Sequence, residues 1–314
     1  MAATTKNELK IVQKDTVDIV ADKVRKFQES KELCLPQNYS AENAMKSAWL
    51  TIQEIKDKNQ KPALSVVTRD SVANALLNMC IQALDPAKKQ CYFIVYGNQL
   101  IMQRSYFGTM HVAKMVNPDI VDIVAQCVYA GDIFKYEIKR GKKVVVDHQQ
   151  DLDNIKKSNI RAAYCSIFFK DGTEQSTIMT IEEIKQAWSQ SLTKPFDENG
   201  VLKKASVHGK FTEEMAKKTV INRACKTIIN SSDDSSLVLE HFNETDAAMA
   251  KAEAQAEIDE NANSVVVEVD SSTGEVVEES REVMPGVYQD ELSGEATTTD
   301  NTADELDVVE DDLP

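Results

Sequence analysis

The sequence predicts an α+β domain, a mainly antiparallel sheet with packed helices, preceded by an N-terminal helix and followed by a disordered acidic C-terminal tail. Three observations predict it. Short β-rich runs between residues 91 and 180 are joined by glycine turns, helical periodicities flank them on both sides, and the charge changes sign near residue 240. Residues 1–240 carry 34 Lys+Arg against 29 Asp+Glu, whereas residues 241–314 carry 2 against 22. The net charge of −15 is therefore an average over a mildly basic body and a tail with the sign of DNA. The expected organisation is residues 1–35 as an N-terminal helical segment, 36–240 as the core, and 241–314 as the tail.

Leu9, Val12, Thr16, Val17, Val20, Val24 and Phe27 recur at helical spacing before Pro36. Such a helix covers either its own core or a neighbouring subunit. Helices follow over 41–56, with Met45, Ala48, Trp49, Ile52 and Ile55 on one face, and over 69–84. Residues 91–96 and 99–104 form a hairpin with Gly97-Asn98 as its two-residue turn, and Ser105 caps a helix over 106–116. Strands are predicted over 120–129, 134–139, 143–147, 161–170 and 174–180, with turn chemistry at Gly131-Asp132, Arg140-Gly141-Lys142 and Asp171-Gly172 that makes neighbours antiparallel. A short helix over 181–189 leads to a flexible, Lys-, Pro- and Gly-containing stretch over 193–209. The last helix, 212–230, takes Thr212 as its cap and Glu213 and Glu214 against its dipole. After about residue 243 the chain is too poor in large apolar residues to offset its ordering entropy, although Val265–Val269 has the composition of a strand that pairs on a partner.

The six cysteines lie singly, mostly in apolar runs, as expected of buried free thiols in a reduced cytoplasmic protein. No run of eighteen apolar residues and no apolar leader occurs, so neither secretion nor a membrane span is expected. Neither Gly141-Lys142-Lys143 nor Gly209-Lys210-Phe211 completes a phosphate-binding loop of the Gly-x-x-x-x-Gly-Lys-Ser/Thr type, and no other cofactor fingerprint is present. Asp119, Asp122, Asp132, Asp147, Asp151 and Asp153 are the acids from which a metal-dependent nuclease would be assembled. Solvated strand ends and loops are the simpler home for them. His111 and His148 have no Ser or Cys partner by spacing and read as ordinary surface or groove histidines.

Basic residues form two constellations. An antiparallel hairpin brings Lys88 and Lys89 to the same end as Arg104 and Ser105, beside the free amides of a helix N-terminus and the small Gly108, which would suit a phosphate. A solvated sheet rim is the bland alternative. In the helix from Glu213, a step of about 100° per residue puts Lys217 in line with Val220, Ile221, Ala224, Cys225 and Ile228. Either the lysine stem snorkels, with Glu213–Lys217 and Glu214–Lys218 as pairs, or the helix start projects into a groove. Arg223 and Lys226 fall on the opposite face. Tyr92, Tyr96, Tyr106, Phe107 and Phe211 lie among these cations, an interleaving suited to single strands.

The blocks Pro86-Ala87-Lys88-Lys89-Gln90-Cys91-Tyr92-Phe93-Ile94, Tyr96-Gly97-Asn98 and Gln103-Arg104-Ser105-Tyr106-Phe107-Gly108-Thr109-Met110 resemble the RecT/Redβ family of phage single-strand annealing recombinases, and Glu213–Thr219 with Arg223 matches a second motif of that family. The resemblance covers residues 39–231. It implies ATP-independent annealing of complementary DNA strands in phage-type homologous recombination, without covalent catalysis, metal or cofactor, in the cytoplasm of a bacterial host. It implies a homo-oligomer, ring or helical filament, that holds single-stranded DNA and the annealed duplex intermediate, with a phage exonuclease and a host single-strand-binding protein as partners. By that comparison Arg104, Tyr106, Gly108, Thr109, Lys217, Lys218 and Arg223 contact DNA, with Lys88, Lys89, Lys114 and Arg161 behind them. Ala83 stands where relatives commonly have glycine, and its backbone is expected to avoid the left-handed region. The alternatives to annealing are the metal-dependent nuclease and an oligomeric DNA-binding scaffold. The acidic tip Glu310–Pro314 is of the kind that recruits a host factor, and the tail has the charge to compete with DNA for the groove or simply to aid solubility.

Overall fold

In a computed structural model the chain is described over residues 2–190, 195–232, 237–248 and 251, with side chains from residue 15 onward. The first three helices, α1 (Ala2–Glu29), α2 (Ala41–Glu54) and α3 (Arg69–Ile81), form a layer of their own. Helix α1 buries Thr16, Val20 and Val24 at a period of one turn, and Arg69 Nε at the start of α3 donates to Thr16 Oγ1 at 3.3 Å. The N-terminal helix thus covers its own core. Ser40 and Thr68 cap α2 and α3 by accepting from the amides of Asn43 and Ser71.

Helix α3 closes in an unexpected way. Ala83 takes φ 51°, the left-handed conformation expected to be avoided, and its amide donates to the Cys80 carbonyl while that of Leu84 reaches back to Met79. These two bonds are a Schellman closure, and together with the burial of the Ala83 methyl they outweigh a left-handed penalty of about 1–2 kcal/mol.

Strands β1 (Cys91–Tyr96) and β2 (Gln99–Arg104) pair antiparallel around Gly97-Asn98, with Cys91 opposite Arg104. Gly97 at φ 57° supplies the positive torsion the turn requires. The hairpin rests on α3, where the Leu100 amide donates to Ser71 Oγ at 3.1 Å. Helix α4 (Tyr106–Val116) then leads into β3 (Ile120–Tyr129), β4 (Ile133–Lys139), β5 (Lys142–Gln149), β6 (Ile160–Phe169) and β7 (Glu174–Thr180). They form one antiparallel sheet in the order β3-β6-β7-β5-β4, with the predicted glycine turns in place. Its inner face buries Ile123, Cys127, Ala163, Cys165, Ile167 and Met179. The other face exposes Val124, Tyr136 and Phe168 around the packed rings of Phe134, His148 and Tyr164. The fold is α+β, as the sequence predicts.

Helices α5 (Ile181–Ser189), α6 (Val207–Lys210) and α7 (Thr212–Asn230) complete the inner face. Three expectations change here. The stretch read as flexible is a closed turn over 195–206, held by Asp197, whose carboxylate accepts from the amides of Asn199 and Val201. Its first two residues, 193 and 194, lie outside the described residues. Thr212 does not cap α7. It is the first helical residue, and its hydroxyl donates to the His208 carbonyl at 2.9 Å because α6 ends immediately before it. Finally, residues 237–248 form a further helix, α8, that buries Val238, Phe242 and Thr245 at one-turn spacing. Position 240, the expected end of the core, falls inside it. Residues 249–250 and 252–314 of the proposed tail, with the Val265–Val269 run and the acidic tip, lie outside the described residues. Of the six cysteines, Cys34 is exposed and the other five are buried free thiols.

Candidate nucleic-acid interface

Ser105 joins β2 to α4, and every polar atom it offers is engaged. Its Oγ accepts from the Gly108 amide at 3.2 Å and donates to the Lys89 carbonyl at 2.6 Å, while its amide donates to the Gln90 carbonyl at 3.0 Å. The hairpin end and the helix start are thereby locked together. Gly108 allows the close approach, since a Cβ there would stand 2.2 Å from the Gln90 carbonyl oxygen. Thr109 is buried, donating to the Ser105 carbonyl at 3.2 Å and accepting from Arg104 Nε at 3.4 Å. Gly108 and Thr109 therefore seat α4 on the hairpin and lie beneath the surface on which they were expected.

Lys88 and Lys89 stand exposed at this end, and Tyr92 and Phe107 are large exposed aromatics beside it. The Tyr106 and Phe107 rings are 4.1 Å apart. Burial raises the Tyr106 phenol, and Glu214, Tyr92 and Lys217 all act on it electrostatically. Tyr106 thus links the hairpin to α7, which packs against α4. The two sequence motifs, more than a hundred residues apart, share one surface.

On α7, Lys217 Nζ is 2.7 Å from Glu213 Oε1 and 3.9 Å from Glu214, with its side chain 21 % exposed. The stem lies along the protein and the head meets its own helix. Desolvation acts to lower the ammonium pKa, but the hydrogen bond and charge of Glu213 prevail and hold it above the ordinary lysine value; the same bond holds Glu213 below the ordinary carboxylate value. Lys218 is half-buried near His208, and Arg223 is exposed. Lys157, from the loop before β6, donates to the Lys210 carbonyl and adds a cation at the start of α7. Its place is set by long-range folding, and nothing in its local sequence marks it.

Arg104 departs most from expectation. Its side chain is 3 % exposed, its guanidinium lies 3.5 Å from the centre of the Phe242 ring, and it bonds Gln82 Oε1 and, at 2.7 Å, Asp246. Burial pushes its pKa down to about 10 against the opposing pull of Asp246. In this conformation α8 covers it. Of the remaining candidates, Lys114 turns to β3, where it donates to the Val121 carbonyl at 3.1 Å and faces Asp122 at 3.6 Å, and Arg161 is exposed at the start of β6.

The acids proposed for a nuclease do not converge. Asp132 is buried and accepts from the Tyr129 amide at 2.8 Å and from Gln150, Asn154 and His148. Among the described residues no three His, Cys, Asp or Glu side chains group to hold a metal ion. His148, bonded to Asp132 and Tyr164, is a structural member of that network.

A model of the RecT family matches residues 42–266, which is most of the chain and takes in both motifs and α8. The chain belongs to the RecT family. This RecT-family protein accordingly has a role in phage recombination by single-strand annealing, with DNA as what it binds. No curated protein matches it. Among the described residues no helix is long and apolar enough to cross a membrane.

Proposed function

We propose that this protein binds single-stranded DNA along the surface shared by the hairpin end and α7, and pairs it with a complementary strand without ATP. The observation that supports the reading is the packing of α4 on α7, which brings Tyr106 to Lys217, while Ser105 ties the hairpin end that carries Lys88 and Lys89 to the start of α4. Cations neutralise a strand's backbone while the rings of Tyr92, Tyr106 and Phe107 offer faces for its bases. Annealing is downhill, so the protein has only to hold a strand extended and admit a second one. The missing nucleotide loop fits that economy. In this reading the protein is a strand-handling factor without covalent chemistry, acts in a bacterial cytoplasm as a homo-oligomer, and works beside an exonuclease and a host single-strand-binding protein.

The decisive experiment mixes the protein with complementary oligonucleotides in the absence of ATP. Duplex formation should accelerate over the spontaneous rate; an unchanged rate overturns the reading.

A further inference from the structure

We propose that Arg104 and Lys226 form a binding site for a backbone phosphate of DNA, which the Asp246 carboxylate of α8 fills in this structure and vacates when α8 undocks. The proposal rests on the reading that the protein binds single-stranded DNA.

The geometry is that of an anion site. Asp246 Oδ1 lies 2.7 Å from Arg104 Nη2 and Asp246 Oδ2 lies 2.6 Å from Lys226 Nζ, so two cations from different elements grip the two oxygens of one anion. Two phosphate oxygens present the same pattern with more charge. Gln82 holds the arginine through its Oε1 and uses its Nε2 on α8, donating to Thr245 Oγ1 at 2.9 Å and to the His241 carbonyl at 3.3 Å. The site opens outward, since Asp246 is 31 % and Lys226 46 % exposed.

Position supports a nucleic-acid ligand. Arg104 ends β2 opposite Cys91, at the same hairpin end as the exposed Lys88 and Lys89, and its Nε meets Thr109 in the first turn of α4. With α8 lifted, Arg104 and Lys226 would extend the cationic line of the proposed strand path. Energetics support a displaceable cover. Burying an ion pair brings little or no net stability relative to apolar residues of similar volume, so seating α8 requires no charge at position 104. The apolar anchors Val238 and Phe242 already provide that seat. What the pair adds is exchangeability, because a second anion can take the place of the first. Asp246 also belongs to the strongly acidic part of the chain, with 22 acids against 2 bases from residue 241 onward.

The test uses the full chain and a labelled oligo-dT, with affinity followed by anisotropy across a salt series. Asp246→Asn weakens the cover and leaves both cations. It should tighten binding several-fold and steepen the slope of log affinity against log salt by about 0.7, the value for one phosphate. Phe242→Ala, which removes the ring over Arg104 without touching a charge, should do the same. Adding Arg104→Gln to Asp246→Asn should abolish most of the gain. Wild-type binding with no gain in either single variant overturns this proposal alone. Absence of binding by the wild type and both variants overturns the single-strand reading with it. Unfolding of both variants would make α8 a fixed part of the fold and also overturn the proposal.

Discussion

Gly108 and Gln90 meet backbone to backbone. A Cβ on Gly108 would lie 2.2 Å from the Gln90 carbonyl oxygen and 2.8 Å from Arg104 Cγ, and the carbonyl already accepts from the Ser105 amide. Neither the strand entry nor the capped helix can yield without breaking the other. Gly108→Ala should therefore cost about 2–3 kcal/mol or more, read as a lowered urea midpoint. A midpoint equal to that of the wild type would mean that α4 sits farther from the hairpin.

Lys217 stands where the two motifs meet. Its pair with Glu213 lies on one helix and contributes about 0.5 kcal/mol at most to stability. Lys217→Ala should leave the fold intact, weaken binding to single-stranded DNA, and lower the salt slope by about 0.7, as one lost phosphate contact requires. A lost affinity with an unchanged slope would move the lysine off the strand path.

Asp132 organises the turn from β3 to β4 by accepting four hydrogen bonds. These bonds outweigh its desolvation and hold its carboxyl below the ordinary range. Asp132→Ala would leave the buried Tyr129 amide unpaired and should destabilise the protein by about 2–3 kcal/mol. Labelled DNA incubated with Mg²⁺ should remain intact with wild type and variant alike. Asp132-dependent cleavage would restore the nuclease reading.

The pH dependence should carry a histidine signature. Burial lowers the pKa of His111, with Lys88 adding to it, and burial lowers that of His208, with Lys218 adding to it. A histidine whose folded pKa lies below its unfolded value of about 6.5 contributes stability that is fully present above that value and lost as pH falls through it towards the folded pKa. The urea midpoint should fall as the pH drops below about 6.5. Asp132 and Glu213 are shifted downward as well, but their linkage acts below the ordinary carboxylate range. Replacing both histidines by Asn should flatten this fall below about pH 6.5; an undiminished slope would assign it to other groups.

The sequence by itself determined the elements and their order. Helix 106–116 with its Ser105 cap, helix 212–230, the Gly97-Asn98 hairpin and the glycine turns of the five-stranded sheet are all written in contacts a few residues long: caps, turn torsions, and periods of two and 3.6. The family was legible for a similar reason, because its two motifs are contiguous runs. Local rules failed where a distant segment intervenes. Thr212 has the chemistry of a cap, but α6 supplies acceptors for its hydroxyl immediately before it, and at Ala83 the closure of α3 and burial of the methyl outweigh the intrinsic torsional preference. Only the tertiary structure decided that Tyr106 and Lys217 come together, that Gly108 and Thr109 are buried where α4 meets the hairpin, and that Arg104 is enclosed by Phe242 and Asp246, 138 and 142 residues away. The physical reason is that the state of a charged side chain depends on which surface excludes water from it, and that surface comes from residues brought together by folding.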